Sequence, residues 1–253
     1  MTVLGIIGWP LEMTLSPKLH EYLLKLTNIS GQYDKLPIEK INDLALTIPH
    51  KQSVYKELKD ISSSSKSVEA TQAVNTIVKS ENAIYLHNTD YKGFLAEISR
   101  LNYKLINKTI LILGDGGSSK SIQYALQGSN TKDVHIASRT PKNEQLDYAG
   151  IESVSDEINM IINTTPLGMP PYQNNSPIDG GIKFNNLEIV LDIGYNNKES
   201  KFMKQYKDAE SVNGLGMLIA QGIESFNLWT KSKLSFPDLY EEIKELLEEE
   251  MHD

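Results

Sequence analysis

The chain is 253 residues long, with 40% hydrophobic and 23% charged residues, a net charge of −8 and no cysteine. That length suits one large or two modest domains, and the composition is ordinary for a soluble globular protein. The negative charge, with no Lys-rich cluster to offset it, argues against nucleic acid as a partner; the missing cysteines exclude disulfides, thiolate nucleophiles and Cys-ligated metals.

The first apolar run, residues 3–8, reads as a buried strand. It lacks a charged leader and is too short for a signal peptide. No run approaches the ~18 apolar residues of a membrane span. No membrane partner is therefore expected, and a cytoplasmic location is the default. Residues 17–27 place Leu19, Tyr22, Leu23 and Leu26 at helical spacing. Ser16 before Pro17 predicts an N-cap followed by proline at the first helical position. Strands are expected at 33–38 and 44–48, the second ended by Pro49, and a helix over 52–58. The Ser-rich stretch 62–67 reads as a loop. Residues 74–78 and 83–86 form a hairpin around 80–82, followed by a helix over 93–102. Strands recur at 109–113, 133–137, 160–163 and 188–193. The segment 170–181, rich in Pro, Asn and Gly, is a candidate mobile loop. Helices close the chain over 216–229 and 237–250, the last acidic on its exposed face. No internal repeat is present. Regular βα alternation predicts parallel sheets with helices on their faces.

The most informative segment is residues 108–120, an apolar β-branched run that stops at Gly114-Asp115-Gly116-Gly117 and continues into a helical stretch near Ser118. Strand, glycine turn and helix N-terminus in that order suit a dinucleotide pyrophosphate. Gly114 would allow the sharp turn and Gly116 the close approach of backbone to phosphate. The strict G-x-G-x-x-G spacing is not met, and such a turn also serves purely structural ends. The next strand ends at Ser138-Arg139-Thr140, about one βαβ step later, where NAD sites usually carry an acid. Here the chain offers Arg139, with Lys142 close by, which fits the extra 2′-phosphate of NADP. Only Arg100 and Arg139 are arginines, so a planar fork at this position is informative.

Five histidines, His20, His50, His87, His135 and His252, show no metal-ligand spacing, and no metal is expected. No G-x-S-x-G elbow occurs. Polar clusters instead follow strands: Thr14-Leu15-Ser16-Pro17, Thr47-Ile48-Pro49-His50-Lys51, Asn75-Thr76, Asn88-Thr89-Asp90 and Asn163-Thr164-Thr165. Each alone has a turn or capping explanation. Together they offer hydroxyls, amides, one Lys and one Asp, a chemistry suited to a polyhydroxylated anion with Lys51 and Asp90 as an acid–base pair.

These residues, with Gly8-Trp9-Pro10, His20, Ala73-Val74, Gly93-Phe94, Pro166-Leu167-Gly168-Met169, Asp192, Tyr195 and Gly214-Leu215-Gly216-Met217-Leu218 with Gln221, make the chain resemble the shikimate dehydrogenases. These are NADP-dependent enzymes of aromatic amino-acid biosynthesis, and the likeness runs nearly end to end. It implies two α/β domains with the active-site cleft between them. Residues 1–90 and 215–253 would form the substrate domain, and 91–214 a Rossmann-like NADP domain with a parallel sheet. It implies reversible reduction of 3-dehydroshikimate to shikimate by NADPH, without a metal, in a monomer or homodimer. Thr14 and Ser16, with Tyr195, would hold the substrate carboxylate. Thr47, Asn75, Asp90 and Gln221 would fix the ring hydroxyls, and Lys51 would be the central catalytic group, paired with Asp90. Gly114, Gly116, Gly117, Ser118, Ser138, Arg139, Thr140, Lys142, Thr164, Gly214 and Met217 would contact the cofactor.

The chain also departs from the family pattern. Ala45 stands where an Asn is usual, and the segment between Ile38 and Leu46 is short. Asp115 replaces a usual Ala and would bring negative charge near the pyrophosphate. Ser138 replaces an Asn, and Asn143 stands where a basic residue is usual, a place Lys142 could fill. A quinate or shikimate dehydrogenase using NAD or NADP, and a metabolite-binding paralogue without turnover, are the alternative readings.

Overall fold

The computed structural model describes residues 2–8, 11–37, 51–178, 180–196 and 198–251. The expected strand at 44–48, Trp9-Pro10, Ala45, Thr47 and His50 lie outside the described residues. The chain divides into two compact units, Met1–Arg100 with Gly216–Asp253, and Leu101–Leu215. The family resemblance places these divisions at 90 and 214.

The first unit contains β1 (Thr2–Gly8), α1 (Ser16–Leu26), β2 (Gly31–Pro37), α2 (Lys51–Leu58), β3 (Ser63–Ser64), α3 (Lys66–Thr71), β4 (Thr76–Lys79), β5 (Ile84–His87) and α4 (Asp90–Arg100). Strands β1 and β2 pair in parallel, and β5 lies between β3 and β4, antiparallel to β4 as the hairpin reading requires. In α1 the buried face is Leu19, His20, Leu23 and Leu24, while Leu26 is exposed. Ser16 is the first helical residue and not the N-cap, a position held by Leu15 without a side-chain cap. The Ser-rich stretch is not simply a loop. Ser65 accepts from the Val68 N–H and caps α3, and Val68 inserts into a core with Val54, Val74 and Leu86. A six-residue helix is too short to show periodicity, so its cap and one buried valine decide it.

The second unit is the expected parallel sheet. It contains β6 (Thr109–Leu113), α5 (Gly117–Leu126), β7 (Asp133–Ala137), β8 (Met160–Asn163), β9 (Ile189–Asp192) and β10 (Glu210–Asn213), joined in part by 3-10 turns at Gly150–Glu157 and Met203–Gln205. All pairings are parallel, in the order β10-β9-β8-β6-β7. Strands β6, β8 and β9 are buried throughout, as the near-continuous Ile, Leu and Val runs of a doubly covered sheet require. Leu111, Leu113, Ala137, Ile161, Val190, Ile151 and Phe202 form its core. Strand β10 escapes a pattern search because Glu210-Ser211-Val212-Asn213 buries one apolar side chain at the sheet edge. From β6 the chain turns one way to β7 and later returns to β8 on the other side. The carboxyl ends of β6 and β8 thus flank a topological switch point, where open parallel sheets bind ligands.

The chain then forms α6 (Leu215–Thr230), which passes into the first unit at Gly216, and α7 (Phe236–Glu250). Among the described residues no helix is long and apolar enough to cross a membrane.

Candidate active site

Two groups of the expected site residues assemble, one in each unit. In the first unit, the backbone N–H of Val74 donates to the Lys51 carbonyl (3.0 Å), fastening α2 beside the segment that carries Asn75. The Asn75 N–H donates to the His87 carbonyl (3.1 Å), so the hairpin brings Asn75 opposite the start of α4. Asn88 sets that start. Its Oδ1 accepts from the Asp90 N–H (3.1 Å), and its Nδ2 donates to the Ala73 carbonyl (3.0 Å). Asp90, only 5% exposed, is thereby aimed at Lys51.

The Lys51 Nζ donates to Asp90 Oδ2. The other carboxylate oxygen, Oδ1, accepts from Asn75 Nδ2 at 2.7 Å. The same amide reaches Thr89 Oγ1 at 2.9 Å and Gln221 Oε1 at 3.4 Å. Lys51, Asp90, Asn75 and Gln221 therefore form one cluster. A largely desolvated ammonium–carboxylate pair contributes little net stability, so its presence is better explained by chemistry than by folding. Thr14 and Ser16 form a second pair, with Thr14 Oγ1 3.3 Å from Ser16 Oγ. One turn on, Leu19 packs against Gly222 of α6, beside Gln221. Here the expected cap residue, Ser16, accepts from the Thr14 hydroxyl.

In the second unit, the switch-point loops interlock. The Gly114 N–H donates to the Ala137 carbonyl (2.8 Å), and both the N–H and the hydroxyl of Thr164 donate to the Leu113 carbonyl (2.9 and 2.7 Å). Gly114 has φ +103°, and a Cβ there would meet Thr164 Oγ1 at 2.8 Å, so only glycine makes this turn. Gly116 differs: a Cβ added there meets nothing within 4 Å, which leaves open room over the loop. It occupies the N-cap of α5 with no side-chain cap, so the amides of Gly117 and Ser118 are left for a ligand. Ser138 is buried, whereas Arg139, Thr140 and Lys142 are exposed at the end of β7. Lys142 Nζ lies 3.4 Å from Asp115 Oδ2, so the unusual loop acid is partly neutralised by the cation expected to serve the phosphate. Asn143 adopts φ +53°, a left-handed turn that Asn tolerates better than a long basic side chain.

Behind these loops, Asp192 accepts from the Ser200 hydroxyl (2.6 Å), the Gly194 N–H (3.0 Å) and Asn163 Nδ2 (3.1 Å). Burial pushes its carboxyl up, against the downward pull of those three donors. Asn163 Oδ1 in turn accepts from the Thr165 N–H and hydroxyl, which shapes the loop that carries Thr164. Tyr195, half-buried, follows Gly194, which lies against Met169. Gly214 is fixed by packing, since a Cβ there would strike the Ile193 carbonyl, and Met217 is buried in the first turn of α6. Sequence reading overlooked Ser200, Glu97 and Ser225. All three are buried polar residues without a motif, and only their partners reveal them. Among the described residues no group of His, Asp or Glu is placed to hold a metal.

Residues 214–244 match the family model described as the Shikimate 5'-dehydrogenase C-terminal domain. Over 259 residues the chain is 32% identical to the shikimate dehydrogenase (NADP(+)) of Carboxydothermus hydrogenoformans, covering 89% of this chain and 90% of that one. Shikimate dehydrogenase 1 from Peptoclostridium difficile superposes with a TM-score of 0.86 at 28% identity, covering 98% of this chain and 99% of that chain. A chorismate mutase/shikimate 5-dehydrogenase fusion protein from Clostridium acetobutylicum superposes at 0.90 and 27%, over 100% and 99%. With the Lys51–Asp90 cluster in one unit and a glycine loop at the switch point of the other, the chain belongs to the shikimate dehydrogenase family.

Proposed function

We propose that the protein catalyses the reversible NADP-dependent oxidation of shikimate to 3-dehydroshikimate. The observation that carries this is the Lys51–Asp90–Asn75–Gln221 cluster, together with the family membership. Bound at the residues named below, NADPH would supply the hydride for the substrate carbonyl carbon in the reduction direction. Negative charge then builds on the carbonyl oxygen. The Lys51 ammonium stabilises that charge and gives the oxygen its proton, a contribution of about 10²–10⁴-fold for a positioned acid. Asp90 holds the ammonium in place and receives a ring hydroxyl, as do Asn75, Gln221 and Thr47. The neighbouring Thr14 and Ser16 hydroxyls take the carboxylate without an arginine.

The second unit fits the cofactor on its own observations. Open space over Gly116, uncapped amides at the start of α5 and the exposed Arg139 supply room, backbone donors and a cation. Gly117, Ser118 and Thr164 lie at the pyrophosphate end, Ser138, Arg139, Thr140 and Lys142 at the 2′-phosphate end, and Gly214 and Met217 at the start of α6. In this reading residues 1–100 and 216–253 are the substrate domain and 101–215 the NADP domain, in the cytoplasm as monomer or homodimer.

The test is a spectrophotometric screen of shikimate and quinate against NADP⁺ and NAD⁺. Turnover is expected fastest with shikimate and NADP⁺. Faster turnover with quinate or NAD⁺ would move the assignment to the broader enzyme class. Absence of turnover with every pair, in folded protein, would leave only a metabolite-binding role.

A further inference from the structure

Behind the Asn75 amide lies a set of hydroxyls that neither substrate nor cofactor is assigned to. Ser225 sits on α6 one turn beyond Gln221 and is 3% exposed. Its Oγ donates to the Gln221 carbonyl (2.9 Å) and lies 2.8 Å from Thr76 Oγ1 and 3.0 Å from Thr89 Oγ1. A hydroxyl carries one proton, and this allows the directions to be worked out. The Thr89 backbone N–H donates to Asn75 Oδ1 at 2.9 Å, which identifies that atom as the oxygen. The Asn75 amine must then face Asp90 Oδ1 (2.7 Å) and Thr89 Oγ1 (2.9 Å), one proton to each. Thr89 Oγ1 is thus an acceptor from Asn75, and its own proton must go elsewhere. Ser225 Oγ, at 3.0 Å, is nearer than Asn75 Oδ1 (3.3 Å) or Gln221 Oε1 (3.4 Å). Ser225 is free to accept in either arrangement of its own proton, because that proton goes to the Gln221 carbonyl (2.9 Å) or to Thr76 Oγ1 (2.8 Å), and Thr76 in turn reaches Asn75 Oδ1 (2.9 Å).

We propose that Ser225 is a positioning residue for the Lys51–Asp90 pair. By accepting the Thr89 proton it keeps Thr89 Oγ1 an acceptor for Asn75, and so keeps the other Asn75 N–H on Asp90. Without the Ser225 oxygen, the Thr89 proton turns to Gln221 Oε1 or Asn75 Oδ1. The first occupies an atom assigned to a substrate hydroxyl, and the second loosens the amide that holds Asp90. This role rests on the function proposed above.

The test compares Ser225→Ala, Thr89→Val and Thr89→Ser with the wild type in shikimate oxidation, across pH, with circular dichroism and thermal melting on each. Ser225→Ala is expected to lower kcat by about 3- to 10-fold, the worth of one hydrogen bond. It should displace the pH profile of kcat and leave KM for NADP⁺ unchanged. Thr89→Val should reproduce this, and Thr89→Ser, which keeps the hydroxyl, should recover most of the rate. A Ser225→Ala protein that is folded and has wild-type kcat and pH profile overturns the proposal. So does a loss of activity that only tracks a lower melting temperature, with the pH profile unmoved. If the wild type itself shows no turnover, the proposed function fails and this role fails with it. Wild-type turnover beside an unchanged variant refutes the role of Ser225 alone.

Discussion

Asn75→Asp is a nearly isosteric change with a large expected effect. Asn75 Oδ1 accepts from the Thr89 N–H at 2.9 Å, so the introduced carboxylate keeps one oxygen there and points the other at Asp90 Oδ1, where Nδ2 now lies at 2.7 Å. A charge-assisted hydrogen bond becomes a contact between two carboxylates. Two like charges about 4 Å apart at an effective dielectric of about 20 repel by on the order of 4 kcal/mol. If that repulsion displaces Asp90 from Lys51, kcat/KM should fall by about 10³-fold, at 1.36 kcal/mol for each factor of ten. Asn75→Ala removes the same donor without adding charge, and should cost about 10-fold or somewhat more. The ordering is therefore wild type, then Asn75→Ala, then Asn75→Asp. The deficit of Asn75→Asp should also narrow as pH falls, because a shared proton between the carboxylates restores a donor toward Asp90. Steady-state oxidation of shikimate across pH reads both effects. Equal activity of Asn75→Asp and Asn75→Ala at neutral pH, or a deficit independent of pH, would refute the reasoning.

Gly216→Ala tests the packing of α6. The added Cβ would fall 2.1 Å from Glu97 Oε2, a carboxylate 1% exposed and held by Arg100 through bonds of 2.7 and 2.8 Å. It should lower stability by about 1–3 kcal/mol, and an unchanged thermal midpoint would contradict this. His20 is buried, stacked on Tyr33 and Phe226, and held down to about 3 by burial. Its folded value lies below its unfolded value of about 6.5, so its neutral form contributes nothing to pH dependence above that range. As pH falls from about 6.5 toward 3 the unfolded state takes up the proton and up to about 4 kcal/mol is lost. His20→Phe should flatten that acid limb in urea titrations, and an unchanged slope would show that His20 titrates normally. Asp115→Ala frees Lys142 from its 3.4 Å partner and should tighten NADP⁺ binding by about 2- to 5-fold, given the small worth of exposed ion pairs. Arg139→Ala should weaken NADP⁺ far more than NAD⁺; equal weakening of both would remove Arg139 from the 2′-phosphate.

The second unit was legible because its central strands β6, β8 and β9 are unbroken buried runs and its glycine turn sits where the chain reverses around β6. Polar edge strand β10 and short helix α3 were not, because neither carries a periodic apolar face. Lys51 and Asp90 could be named from strand-end clusters, yet their contact depends on three ties invisible in sequence. These are Val74 N–H to the Lys51 carbonyl, Asn75 N–H to the His87 carbonyl, and the Asn88 side chain bridging Ala73 and Asp90. Asp115 and Lys142 lie apart in the sequence and read there as two separate departures; the fold makes them one ion pair. Ser225 and Glu97 carry no motif because their roles are set by residues distant in sequence, Thr76 and Thr89 for Ser225 and Gly216 for Glu97.

The most direct test of the central claim is kcat for shikimate oxidation by NADP⁺ in wild type and Lys51→Ala, with folding and NADP⁺ binding verified in both. The account predicts brisk NADPH formation by the wild type and a loss of about 10²–10⁴-fold in the variant, with cofactor affinity retained. A folded Lys51→Ala protein that turns over at the wild-type rate would contradict it.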